Sequence, residues 1–245
     1  MIMSLSGGER AAIGALASCG ELDAIISEQR LSSVFQPIVD LQTGCVLGYE
    51  GLIRGPEGCA LHSPVSLFEQ AARCGRSVLL DHTCRCVTTE RFVACRVPER
   101  LFLNLNPESL LAPEHRPGEM LNYLQQIGLD PSRIVIELTE TLPYSSYAAL
   151  REATDHYRRA GFRIALDDLG EGYSNLRLWS ELRPDFVKLD KHFIQQLHRD
   201  GFKEQFVRSM VAIARQAGTL LIAEGIESAA ELRMSMMPRT AFSPL

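Results

Sequence analysis

Six short apolar runs of this 245-residue chain each deliver a polar side chain at their far end. Val46–Tyr49 ends in Glu50, Leu101–Leu103 leads into Asn104, and Arg133–Ile136 meets Glu137. Phe162–Leu166 meets Asp167-Asp168, Asp185–Val187 runs into Lys188 and then Asp190, and Leu220–Ala223 ends in Glu224. One strand-end acid alone is most simply a cap for the following helix, but six runs doing the same thing point to a shared site. Carboxylates converging in a partly buried site repel one another unless cations neutralise them. An oxygen-rich set with one amide and no cysteine or histidine suits Mg²⁺ or Mn²⁺ rather than zinc. The adjacent pair Asp167-Asp168 can bridge two ions, and two ions roughly 3.5–4 Å apart can activate a water and stabilise the leaving oxygen of a phosphoryl group. Lys188 would orient the nucleophile or offset charge on the phosphate. Beyond the pair, Leu169-Gly-Glu-Gly-Tyr-Ser174 carries two glycines, which suggests a mobile or tightly turned loop.

The elements that must position these groups alternate. The runs Ser33–Val39, Val46–Tyr49, Leu101–Leu105, Arg133–Leu138, Phe162–Leu166, Asp185–Leu189 and Thr219–Ala223 are nearly continuous in Val, Ile, Leu and Phe, as parallel strands covered on both faces should be. Between them, Ser63-Pro64 reads as N-cap and first residue of a helix over Val65–Cys74 that Gly75 closes. Helices over Ser146–Ala160 and Lys203–Ala217 end at Gly161 and Gly218. Strand alternating with helix implies a parallel sheet, open or closed, and no glycine-rich phosphate loop follows the first strand to favour the open nucleotide-binding form. Asp40–Cys45, with Thr43-Gly44 at its turn, looks like a hairpin, so one antiparallel strand is expected. A (β/α)₈ barrel needs about 250 residues and places its active site at the C-terminal ends of its strands.

With 25 basic and 30 acidic residues the net charge is −5, which argues against a DNA or RNA polymer as partner. No apolar run approaches the roughly 20 residues of a membrane span, and Met1–Gly20 lacks the form of a signal peptide. Seven cysteines at 19, 45, 59, 74, 84, 86 and 95 include no Cys-x-x-Cys pair, and the odd count reads as reduced thiols in the cytosol. The expectation is a soluble, cytoplasmic α/β protein.

In order, Phe35-Gln-Pro-Ile38, Tyr49-Glu-Gly-Leu-Ile-Arg54, Asn104-Leu-Asn106, Glu137-Leu-Thr-Glu140, Asp167-Asp-Leu-Gly170, Lys188-Leu-Asp190 and Ala223-Glu-Gly-Ile-Glu227 follow the pattern of the EAL domain family, which acts on the bacterial second messenger cyclic di-GMP. The chain resembles that family from about Leu31 to Ser228. Residues 1–30 would then be a helical lead-in, 31–228 the EAL domain and 229–245 a divergent tail. The resemblance implies a modified (β/α)₈ barrel that hydrolyses one phosphodiester of cyclic di-GMP to give linear pGpG. It implies that Glu50, Asn104, Glu137 and Asp167 hold one metal ion, that Asp167, Asp168 and Glu224 serve the other, and that Lys188 positions the attacking water. Gln36, Leu52, Arg54 and Asp190 match ligand-side positions, with Arg54 at a phosphate, where its planar fork suits the oxygens. Glu140 matches the residue that steadies the loop after Asp168, and Glu227 is the second glutamate of the last motif. That loop is also where such domains couple to dimerisation, so a homodimer is allowed.

The chain departs from the family at several points. Gly51 stands for the usual alanine, a small-for-small change that should leave Glu50 in place. Leu169 replaces phenylalanine and Glu171 a small residue in the loop. The tail Ala229–Leu245 has two prolines, no β-branched apolar run and no counterpart to the family's closing glutamine, so the final strand is expected to be missing or altered. Two further readings follow. One is a receptor that binds cyclic di-GMP without cleaving it, which a lost closing strand would favour. The other, which the ordered motifs make remote, is a metal-dependent sugar-phosphate or aldolase-type barrel.

Overall fold

The computed structural model describes residues 18–113, 115–139, 147–170, 175–235 and 240–243. Eight strands close into a barrel in sequence order: β1 Ser32–Asp40, β2 Val46–Arg54, β3 Arg100–Leu105, β4 Ile134–Leu138, β5 Arg163–Leu169, β6 Phe186–Leu189, β7 Leu220–Glu224 and β8 Thr240–Ser243. Strand β1 runs antiparallel to both neighbours, β2 and β8, and every other pairing is parallel. The expected barrel with one antiparallel strand is therefore what the chain forms. Ten helices are described: α1 Cys19–Ser27, α2 Pro64–Arg73, α3 Ser77–Cys95, α4 Pro107–Leu111, α5 Pro117–Ile127, α6 Tyr147–Arg159, α7 Asn175–Leu182, α8 Lys191–Ile194, α9 Gly201–Ala217 and α10 Ala229–Ser235. None of the described helices is long and apolar enough to cross a membrane.

Local chemistry explains several of these boundaries. The Ser63 side chain accepts the Ser66 N–H at 3.1 Å and Pro64 opens α2, as its first-turn geometry permits. Asp40 turns the hairpin by accepting the N–H groups of Gln42 and Thr43 at 2.8 and 3.0 Å, and Gly44 takes the positive φ the turn needs. Helix α3 has no strong apolar stripe in the sequence. Thr83, Arg85, Thr88 and Thr89 are all buried, so polar residues occupy its covered face.

Two expectations are corrected. First, the tail does supply a closing strand: β8 pairs with β7 from Leu221↔Thr240 to Glu224↔Ser243 and with β1 at Val39↔Phe242 and Asp40↔Ala241. Both flanking strands offer rows of backbone donors and acceptors, and four residues with their own N–H groups fill that slot whatever their side chains. The prolines, at 238 and 244, lie outside the paired residues. Second, the cysteines are not all thiols. Cys19 and Cys74, 55 positions apart, form a disulfide that ties α1 to the end of α2, with Cα atoms 5.7 Å apart. Cys45, Cys59, Cys84, Cys86 and Cys95 are free. Counting cysteines cannot reveal a pairing that only the packing of two helices creates.

Side-chain alternation sorts the barrel into layers. Leu101, Leu103 and Leu105 on β3, Ile134, Ile136 and Leu138 on β4, and Leu221 and Ala223 on β7 are buried in the large cluster shared with the helices. Inside the barrel, Ile38, Phe102, Val135, Ala165, Phe186 and Ile222 form a separate apolar floor. Phe102 and Phe186 meet edge to face at 5.2 Å. Gly48 leaves room for the Phe102 ring, because a Cβ there would lie 2.7 Å from it. With a period of two, the next inward residues are Glu50, Asn104, Glu137, Asp167, Lys188 and Glu224, each two positions past Gly48 or a floor residue. The floor thus fixes a polar layer one step toward the strands' C-terminal ends.

Candidate metal centre

Lys188, the amine of β6, is the pivot of that layer. Its side chain is 2% exposed, and Nζ lies 3.2 Å from Glu50 Oε2, 3.2 Å from Glu137 Oε1, 3.1 Å from Asp167 Oδ1 and 2.9 Å from Glu224 Oε1. Four carboxylates from four strands thus share one ammonium. They hold Lys188 charged, raising its pKa well above the usual lysine range against the opposing pull of burial. The carboxylates respond in the other direction. Burial first, and then the neighbouring acids, lift Glu137 well above the usual glutamate range and Glu224 to about 7.

Strand β5 contributes two adjacent acids to one face, which a regular strand cannot do. A bulge makes it possible: Leu166 pairs with Val187 and Leu169 with Leu189, so Asp167 and Asp168 together oppose Lys188. Asp168 sits at φ 53°, in the left-handed region that aspartate tolerates better than most residues, and its N–H donates to Asp167 Oδ1 at 2.9 Å. As a result, oxygens of Asp167, Asp168 and Glu224 lie within 4.8 Å of one another, and so do oxygens of Glu50, Glu137 and Asp167. Asp167 belongs to both groups. Asn104 flanks the first, with Nδ2 donating to Glu50 Oε1 at 3.4 Å.

This chemistry fits divalent cations. Glu137 is fully buried, yet among the described residues neither of its oxygens accepts a hydrogen bond and the one cation close to it is Lys188. An excess of buried carboxylate over ammonium is costly until further positive charge enters. An all-oxygen set selects hard ions.

The remaining expected residues are placed variously. Glu50 is mid-strand rather than at a strand end, because β2 continues to Arg54. Gln36 on β1 is directly opposite Glu50 in register. Leu52 and Arg54 line a cavity of about 430 Å³ beside the centre, together with Asn104. Asp190 is the N-cap of α8, accepting the His192 N–H at 2.8 Å, and is not part of the carboxylate cluster. Glu227 is exposed in the loop after β7. Glu140 and loop residues 171–174 lie outside the described residues.

Two sets of residues escaped the sequence reading. Asp81, Arg85 and Thr88 of α3 line the cavity that Arg54 enters; the signal was an Asp-Arg pair at helical i, i+4 spacing. Glu231 clasps two loops of the site, accepting the N–H groups of Gln196 at 2.8 Å, Glu227 at 3.1 Å and Ser228 at 3.0 Å. Ser228-Ala-Ala-Glu231 is a capping box, and that spacing could have flagged it.

Comparison with known proteins bears on this centre. A family model described as "EAL domain" matches residues 20–237. An uncharacterized signaling protein of Caulobacter vibrioides is 30% identical over 208 residues, 83% of this chain and 25% of that protein. Cyclic di-GMP phosphodiesterase PdeL of Escherichia coli is 28% identical over 198 residues, 79% of this chain and 54% of its own length. The chain thus spans about half or less of the length of these curated relatives. The manganese and cyclic di-GMP complex of Klebsiella pneumoniae BlrP1 matches with a TM-score of 0.80 at 29% identity, covering 89% of this chain and 55% of that one.

Proposed function

The chain belongs to the EAL domain family, and from that premise we propose that it is a metal-dependent phosphodiesterase that opens cyclic di-GMP to linear pGpG. The observation that carries the proposal is the pair of carboxylate groups sharing Asp167, built around a buried lysine. In this reading Glu50, Asn104, Glu137 and Asp167 hold one ion, and Asp167, Asp168 and Glu224 the other. Two Mg²⁺ or Mn²⁺ ions bound there supply a nucleophilic water at neutral pH and offset charge on the phosphate oxygens.

The protein's own groups do the rest. In this reading Lys188, which its four carboxylates hold charged in the metal-free protein, positions the attacking water by donating to it. Arg54 at the mouth of β2 meets a phosphate, and Gln36 and Leu52 border the ligand beside Glu50. The water gives up a proton to solvent as its oxygen adds to phosphorus, the bond from phosphorus to the 3′ oxygen breaks, and that oxygen takes a proton from solvent. The product carries a 5′ phosphate on one guanosine and a free 3′ hydroxyl on the other.

The test is formation of pGpG by the full chain loaded with Mg²⁺ or Mn²⁺, run beside a ligand-binding titration on the same preparation. Turnover that Asp167→Asn abolishes is the expected result. Binding without turnover in folded, metal-loaded protein would overturn it in favour of a receptor. The receptor reading drew on a missing closing strand, and β8 removes that support.

A further inference from the structure

Asp168 reaches the metal centre only because the chain turns sharply around it. Its φ of 53° and the φ of 119° at Gly170 both lie in the left-handed region, which costs energy at Asp168 and persists only where the surroundings hold it. Leu169, between them, is buried, pairs with Leu189 of β6 and accepts the Asp190 N–H at 3.4 Å. That fixes the strand side of the turn. The loop side is held by a side chain.

The ring of Phe193, on α8, lies against Gly170. A Cβ at that position would come within 3.0 Å of three ring carbons, so only glycine allows the approach. The ring is itself held in place. Phe206 of α9 stacks on it with centroids 4.2 Å apart and planes 16° from parallel, and the His192 ring meets it nearly at right angles at 5.2 Å. Lys203 of α9 donates to the carbonyls of His192 and Gln195, which binds α8 to α9. Phe193 follows Lys188 by five residues, so one segment supplies both the buried ammonium and the ring that meets the turn after β5.

We propose that Phe193 is a positioning residue for the second ion: by filling the space beside Gly170 it keeps Asp168 turned toward Asp167 and Glu224. The assignment rests on the two-ion reading above. Asp168 belongs to that carboxylate group alone, while Glu50 and Glu137 belong to the other. Removing the ring therefore weakens one ion site and spares the other. A ring that merely filled the core would, on removal, lower stability without singling out either site.

The experiment titrates the metal-stripped full chain with Mn²⁺, reading the free ion by electron paramagnetic resonance, beside pGpG formation on the same preparation. Phe193→Ala deletes the ring, and Phe193→Leu keeps apolar bulk and guards against misfolding. One Mn²⁺ dissociation constant is expected to rise about 10-fold or more in both variants, with the other unchanged. Turnover is expected to return as Mn²⁺ is raised. Leu22→Ala, in the separate apolar cluster around α1, should lower the melting point and leave both constants alone. Unchanged constants in the folded Phe193 variants, or the same weakening in Leu22→Ala, overturn the role of Phe193 alone. A wild-type chain that holds fewer than two ions overturns the two-ion reading and this assignment with it. Two ions held without turnover overturn the catalytic reading and leave the role of Phe193 to the binding constants.

Discussion

Replacing Lys188 by methionine removes one cation and keeps the length of the side chain. In the native protein its ammonium lies 2.9–3.2 Å from four carboxylates, in a place where the side chain is 2% exposed. Stranding buried charge by deleting its partner costs about 3–5 kcal/mol. For a domain of this size each kcal/mol moves the melting point by about 2–4 °C. The metal-stripped variant should therefore melt roughly 6–20 °C below metal-stripped wild type. The loss has a pH signature. Glu224 already titrates at about 7 with Lys188 present, because burial and neighbouring acids oppose its charge. A folded pKa raised above the usual 4.5 means the native state binds more protons than the unfolded one, so stability falls as pH rises from 4.5 through 7. Without the ammonium that fall is steeper, and the gap between variant and wild type widens above pH 7. Added Mn²⁺ should restore much of the melting point, since ions bound to the native state stabilise it, while pGpG formation stays lost. Circular-dichroism melts with EDTA and with Mn²⁺, on either side of neutrality, are the assay. Equal melting points for the two metal-stripped proteins above neutrality would refute the reasoning.

Three other outcomes follow from the same geometry. Gly51→Ala, which restores the family's usual residue, places a Cβ 2.3 Å from Thr88 Cγ2 and should destabilise by about 1–3 kcal/mol in chemical denaturation; adding Thr88→Ser, which deletes that methyl, should recover most of it. Reducing the Cys19–Cys74 disulfide opens a loop of 55 residues, worth up to about 4 kcal/mol of loop entropy, so dithiothreitol should lower the melting point of wild type and leave Cys19→Ser/Cys74→Ser unaffected. His115 is pushed down to about 4, by burial first and then by the Arg85 charge. Its native state binds fewer protons than the unfolded chain, so this contribution is present above 6.5 and lost as pH falls toward 4. After screening of a half-exposed ring it amounts to about 1–2 kcal/mol, and melts of His115→Gln across that range should show a correspondingly flatter acid limb.

The alternation of apolar runs with helices closed by Gly75, Gly161 and Gly218 was enough to read a parallel sheet, because strand burial and helix capping are written in local composition, while its closure into a barrel came from the chain's length and the ordered motifs. The polar residue ending each run was enough to read a shared centre, because alternation with a period of two forces those residues onto the face of the floor below. The final strand was not legible: Thr240–Ser243 pairs through its backbone with edges that exist only once β1 and β7 are in place. Neither was the bulge that turns Asp167 and Asp168 to one side, since it depends on how β5 registers against β6. Asp190, expected on the ligand side, also caps α8, a local role that its place after Lys188 in the sequence does not reveal. The disulfide and the Asp81–Arg85 pair depend on which helices meet. Residue types and their periodicity thus determined which chemistry the chain carries, while the charge balance around Lys188 and the wall of the neighbouring cavity were decided by tertiary contacts, because electrostatic energy depends on distances and burial that one-dimensional spacing does not contain.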